Sequence, residues 1–156
     1  MPRIVRRAAV AWEGSLSRGA GVATATTSQS FSLPVDLPSR IDDEPGKTSP
    51  EELLAAAHAA CFTTSLAGEI ARAGGTVERL DVRCAVTIDE VAGEGHRVVS
   101  SELEARAAAA IDSEAFDRAV AAADAGCTFS ALLRGTASVS VSAELESNGG
   151  GERDGG

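Results

Sequence analysis

The segment SPEELLAAAHAACFTTSLAGEIARAGG, running from Ser49 to Gly75, constrains the fold more than any other part of the chain. Ser49-Pro50-Glu51-Glu52 is a capping box: serine at the N-cap, proline at the first helical position, and Glu52 placed to reach back to the cap. Leu54, Ala57, Cys61, Phe62 and Leu66 recur at helical spacing, and Gly74-Gly75 ends the pattern. The result is a helix of roughly two dozen residues. Its middle is small and apolar, so it needs cover and belongs at the centre of a fold.

The flanking sequence supplies strands to cover it. RRAAVAWEG alternates, with Ala8, Val10 and Trp12 on one face, and GVATATTSQSFSL reads as one or two further strands. LPVDLPSRIDDEPGKT holds three prolines, a glycine and four acids. It is expected to sustain neither helix nor central strand, and as a loop of about sixteen residues it is long enough to be functional. After the helix, LDVRCAVTIDEV alternates with Leu80, Val82, Cys84, Val86 and Ile88 inward, and RVVSSELEARAAAA is its partner strand. Asp112 caps a second helix that stops at Gly126, SALLR adds a short helical turn, and TASVSVSAEL is a last strand. This order defines an α+β chain with mainly antiparallel sheets. Residues 1–145 form a single domain, and 146–156, without periodicity, form a disordered tail.

Composition excludes several functions. A net charge of −9 and an aromatic content of 3% argue against a nucleic-acid surface, which needs basic patches and stacking rings. The start MPRIVRRAAVAWEG has no apolar core of a secretory signal, and no run approaches the ~18 apolar residues of a membrane helix. Three cysteines without a signal point to a reducing compartment, and the cytoplasm is the expected location. No paired metal-ligand spacing occurs, and no cofactor is expected.

The cysteines carry the candidate chemistry. Cys84 alternates with valines on the apolar face of a strand, where a free thiol behaves as a small hydrophobe. Cys61 lies mid-helix, away from the helix-end dipole, so a reactive thiolate there needs a cation from elsewhere. Cys127 sits at a helix N-terminus, where local physics alone makes it the better nucleophile. His58, three residues before Cys61, is either a base or ligand beside the thiol, or a histidine bonded to a polar neighbour at the helix surface. Glu52 serves the capping box and leaves Glu51 free to face another group. Arg40 has Asp42, Asp43 and Glu44 beside it as ordinary surface partners.

SPEELLAAAHAACF resembles the central-helix motif of the OsmC/Ohr family, the osmotically inducible and organic hydroperoxide resistance proteins. AGCTFSALLRGTASVSVSAEL resembles its second cysteine motif and final strand, and AVAWEGSLSRGAG its opening hairpin. The resemblance spans about Ala9 to Leu145. The tryptophan of WEG and His58 are more similar to the OsmC branch.

The resemblance implies a cysteine-based peroxidase that reduces organic hydroperoxides, and hydrogen peroxide less well. It also implies an OsmC-like intertwined homodimer with both active sites at the subunit interface. By motif, Cys61 matches the peroxidatic cysteine and Cys127 the resolving one, reversing the local ranking. Arg40 matches the arginine that holds the thiolate, with Arg18 as a rival, and Glu51 matches the acid that pairs with it. Thr128 stands where the family often has proline, and is expected to cap the short helix. An external dithiol is the implied reductant. Two other readings fit the residues: a non-catalytic OsmC-like binding domain, and a redox or metal sensor using Cys61, Cys127 and His58.

Overall fold

The structure is a computed structural model and describes residues 2–147. The expected tail therefore lies, from residue 148 onward, outside the described residues. The element order is β1 (Ala8–Glu13), β2 (Ala20–Ala25), β3 (Ser32–Val35), α1 (Pro38–Ile41), α2 (Pro50–Arg72), β4 (Thr76–Val91), β5 (Gly95–Ala110), α3 (Ser113–Gly126), α4 (Thr128–Arg134) and β6 (Ser138–Leu145). The chain divides into two units, Met1–Leu53 and Leu54–Gly156.

In the first unit, β1, β2 and β3 form an antiparallel sheet in that order. The region expected to be loop begins instead as the end of β3 and continues into one turn of helix. Both exceptions have a reason in the proline. Pro34 lies on an edge strand, where the missing N–H costs no ladder bond, and Pro38 opens α1, where its N–H would be unpaired anyway. Asp36 fixes this turn. Its carboxylate accepts the Ser39 N–H at 2.8 Å and an ion pair from Lys47 at 2.9 Å. The Lys47 bond and then the Ser39 bonds bring its pKa down to about 2. Ser39 Oγ in turn accepts the Lys47 N–H at 3.1 Å. The turn that carries Arg40 is thus tied at both ends.

The helix α2 starts as its sequence predicts. Ser49 Oγ accepts the Glu52 N–H at 3.1 Å. The reciprocal half differs: Glu52 accepts from the Thr48 hydroxyl at 2.7 Å. At the far end Gly74 takes φ +81°, and the Gly74 and Gly75 N–H groups bond back to Ala71 and Ile70. This is a Schellman stop, and a β-carbon at Gly75 would lie within 2.9 Å of Ile70.

In the second unit β4 and β5 form a long antiparallel hairpin, from Thr76↔Ala110 to Val91↔Gly95. The helices α3 and α4 carry the chain back, so β6 pairs with β5 in parallel, Ser100↔Ser138 through Ala107↔Leu145. The core joins Phe62, Leu66 and Ile70 of α2 to Leu103, Ala105 and Ala107 of β5 and to Phe116, Ala119 and Ala123 of α3. Phe62, Leu66 and Ile70 are fully buried, and such side chains contribute roughly 1.5–3 kcal/mol each. One expectation is corrected here. By length and composition α2 is apolar enough to cross a membrane, because its many alanines count as hydrophobic; its stripe of large residues packs into this core instead.

Candidate active site

The second unit brings Cys61 and Cys127 together. The helix α3 ends at Gly126, and the chain extends for one residue, Cys127, before α4 begins. Cys127 is itself the N-cap of α4: its Sγ accepts the Ser130 N–H at 3.4 Å, and the residue is 1% exposed. Thr128, expected as the cap, is the first helical residue, and its hydroxyl lies 3.6 Å from Cys61 Sγ. The change has a simple cause. A cap must have extended backbone, and Cys127 (φ −77°, ψ 114°) has it.

This arrangement overturns the expectation that a mid-helix thiol lacks help from a helix end. Burial pushes the Cys61 thiol up, but donors at the start of α4 outweigh it. They are the Phe129 N–H, the Thr128 hydroxyl, the Cys127 thiol and the Thr128 N–H, and they hold the pKa of Cys61 below the ordinary thiol value. Cys61 is half-buried, and all three cysteines are free thiols. The site therefore favours the anion of Cys61 and sets the Cys127 thiol beside it. Removing the Thr128 hydroxyl should move the Cys61 pKa upward, because it takes a donor from the charged form. In Thr128→Val the alkylation rate of Cys61, followed against pH, should have its midpoint at higher pH than in the wild type. An unmoved midpoint would show that this hydroxyl does not hold the thiolate.

The first unit holds the other pair. Arg40, on α1, donates from Nε to Glu51 Oε2 at 3.3 Å and from Nη2 to Oε1, a bidentate fork. Burial pushes the Glu51 carboxyl up, but the Arg40 bonds bring it below the ordinary carboxylate value. Asp42, Asp43 and Glu44, the neighbours in sequence, are not the partners that Arg40 takes. At the rival position, the Arg18 backbone N–H bonds to Ser15 Oγ at 3.3 Å in the β1–β2 turn. Among the described residues the Arg18 guanidinium forms no ion pair with an acid.

His58 is neither at the helix surface nor beside Cys61 as a ligand. It is fully buried, with Nδ1 2.7 Å from Ser101 Oγ and Nε2 2.8 Å from Ser130 Oγ. Burial lowers its pKa and so favours the neutral ring. Both ring nitrogens are occupied, and among the described residues no three of His, Cys, Asp or Glu converge as metal ligands. Cys84 packs beside this network, its Sγ 3.2 Å from Ser101 Oγ and 3.8 Å from His58 Nδ1. Ser101 and Ser130 carry no signal in the sequence. The signal that could have found the network is the register His58, Phe62, Leu66, Ile70: these are the buried residues of α2, at i, i+4 steps, with the histidine on the core stripe.

A thiol of lowered pKa with a second thiol beside it, on an α+β scaffold of two sheets and a central helix, defines a thiol-chemistry domain. The sequence matches the family model for OsmC-like protein over residues 42–142, and the chain belongs to that family. It is 33% identical over 137 residues to peroxiredoxin OsmC of Escherichia coli strain K12, covering 87% of this chain and 93% of that protein. The fold is similar to that of an organic hydroperoxide resistance protein OsmC from Legionella pneumophila. The TM-score is 0.73 at 22% identity, over 91% of this chain and 99% of that one. It is likewise similar to an organic hydroperoxide resistance protein from Elizabethkingia anophelis, with TM-score 0.75 at 20% identity, over 93% of this chain and 100% of that one.

Proposed function

We propose that the protein is a cysteine-based peroxidase that reduces organic hydroperoxides, and hydrogen peroxide less well, at the expense of an external dithiol in the cytoplasm. The observation that carries this reading is the Cys61 thiol, 3.6 Å from the Thr128 hydroxyl at the start of α4, the helix that Cys127 caps; donors there lower its pKa. The peroxiredoxin name of the Escherichia coli relative supports it.

In the proposed reaction the Cys61 thiolate attacks the terminal oxygen of the hydroperoxide. The S–O bond forms as the O–O bond breaks, sulfur is oxidised to sulfenic acid, and the alkoxide leaves and takes a proton from water to become the alcohol. Cys127 sulfur then attacks the sulfenic sulfur. The S–S bond forms, the S–O bond breaks, and the hydroxyl leaves as water with the Cys127 proton. Two electrons from the external dithiol restore both thiols.

Arg40, held in its fork by Glu51, supplies positive charge to the thiolate and to the departing alkoxide. Glu51 and Cys61 stand ten residues apart on α2, a rise of about 15 Å along a helix. In the proposed intertwined homodimer, Arg40 reaches the thiol of the partner subunit. The exposed apolar residues Val10 and Trp12 of β1 are consistent with a sheet face that is covered on assembly.

The test is consumption of an organic hydroperoxide with a dithiol as electron source. The purified protein should reduce cumene hydroperoxide with a higher kcat/KM than hydrogen peroxide. No turnover of either would leave a binding domain of the same fold.

A further inference from the structure

We propose that Ser130, anchored by His58, is a positioning residue for the resolving step: it sets the place of the Cys127 sulfur without touching the peroxide. The inference rests on the peroxidase reading above. Its basis is a buried hub at which four elements of the second unit meet. His58 comes from α2, Ser101 from β5, Cys84 from β4 and Ser130 from α4, and His58, Ser101 and Ser130 are all 0% exposed.

Ser130 is the one residue of this hub that also touches a thiol of the candidate site. Its hydroxyl lies 2.8 Å from His58 Nε2, and its N–H donates to Cys127 Sγ at 3.4 Å. The imidazole therefore fixes the third residue of α4, and the amide of that residue aims the cysteine sulfur. A neutral ring has one donor and one acceptor nitrogen, and a serine hydroxyl fits either. With Ser130 O–H on Nε2 and Nδ1–H on Ser101 Oγ, the Ser101 hydroxyl is free to donate to Cys84 Sγ at 3.2 Å, and the chain of bonds closes. A hub so satisfied is rigid, because breaking any link strands a buried polar group.

Rigidity matters for one step more than the other. Attack on the peroxide uses Cys61 and its donors, of which the Phe129 N–H, the Thr128 hydroxyl and the Thr128 N–H remain when the Cys127 sulfur shifts, whereas disulfide formation requires Cys127 sulfur to enter in line with the breaking S–O bond of the sulfenic acid. In that step the Cys127 S–H proton leaves with the hydroxyl as water, and the Ser130 N–H stabilises the sulfur as it gives up that proton. A small displacement of the Cys127 sulfur, with Thr128 and Phe129 left in place, costs this in-line approach first.

Two pairs of variants isolate the link. Ser130→Ala cuts the hub on its α4 side, and Ser101→Ala cuts it on its sheet side. In His58→Gln the amide nitrogen falls near the position of Nε2 and keeps the bond to Ser130; in His58→Asn it falls near Nδ1 and keeps only the bond to Ser101. Quenched-flow mass spectrometry after one equivalent of cumene hydroperoxide reads both steps, as loss of thiol at Cys61 and appearance of the Cys61–Cys127 disulfide. Ser130→Ala and His58→Asn should slow disulfide formation about tenfold, the worth of one buried hydrogen bond, with the peroxide step within about twofold of wild type. Ser101→Ala and His58→Gln should resolve within about threefold of wild type.

A purely structural hub would slow both steps together, or all four variants alike, and either result overturns the proposal. So does wild-type resolution in Ser130→Ala, or equal rates in His58→Asn and His58→Gln. The two pairs report independently, so a variant that does not fold leaves the other pair to decide. A wild-type protein that forms sulfenic acid but no Cys61–Cys127 disulfide would sink the parent reading and this inference together; resolution in the wild type with no effect of the variants sinks this inference alone.

Discussion

Cys61→Ser is expected to abolish hydroperoxide turnover, a loss of ~10³-fold or more, while leaving the circular dichroism spectrum unchanged. Serine is nearly isosteric, and the hydroxyl has far too high a pKa to supply the anion that the α4 donors stabilise. The fold should tolerate the change because Cys61 stands one residue off the buried stripe of His58, Phe62, Leu66 and Ile70 and is only half-buried. Steady-state assays with cumene hydroperoxide and a dithiol read the result. Retention of most activity would mean that another group performs the attack.

Arg40→Ala should lower kcat/KM by ~10²–10³-fold, the usual cost of removing one preorganised donor from developing negative charge. Arg18→Ala should stay within about threefold of wild type, since its contacts are those of a surface turn. The structure supports this choice through the Glu51 fork, which gives Arg40 a fixed pose. If Arg18→Ala proves the more damaging, the arginine assignment is reversed. The same variants test delivery across a dimer. Neither Cys61→Ser nor Arg40→Ala should be active alone, yet under the proposed homodimer their co-expression should give mixed dimers in which one site has both groups, restoring roughly a quarter of wild-type activity. Mixed dimers without activity would place Arg40 and Cys61 of a working site in the same subunit.

The features that were legible in the sequence are those set by neighbours along the chain. Ser49, Pro50 and Gly74-Gly75 mark the ends of α2 because caps and stops are local chemistry. Asp112 likewise caps α3, its carboxylate accepting the Ala115 N–H at 2.9 Å. The half-buried positions of β4, from Leu80 to Ile88, follow the alternation of LDVRCAVTI.

What was not legible depends on contacts distant in sequence. Thr128 is 67 residues from Cys61, so the donors that favour the anion of a mid-helix thiol are invisible in the helix's own pattern. The parallel pairing of β6 depends on where α3 and α4 return the chain. Of the two readings open for His58, its bonding to polar neighbours holds but at a buried position, which its register with Phe62 and Leu66 marks and its residue type does not. The short helix α1 was missed because three prolines argue against helix in general, while Pro38 at the first position favours one. The pairing of Arg40 with Glu51 had no local signal; it came only through resemblance to a family.

The central claim is that Cys61 is oxidised by the peroxide and Cys127 resolves it. It is tested most directly by intact-mass and peptide mapping of protein treated with one equivalent of an organic hydroperoxide. The account predicts the loss of two hydrogens from the wild type, with Cys61 and Cys127 in one cross-linked peptide. In Cys127→Ser it predicts a sulfenic acid at Cys61, trapped by dimedone. A cross-link to Cys84, or oxidation that leaves Cys61 a free thiol, would contradict it.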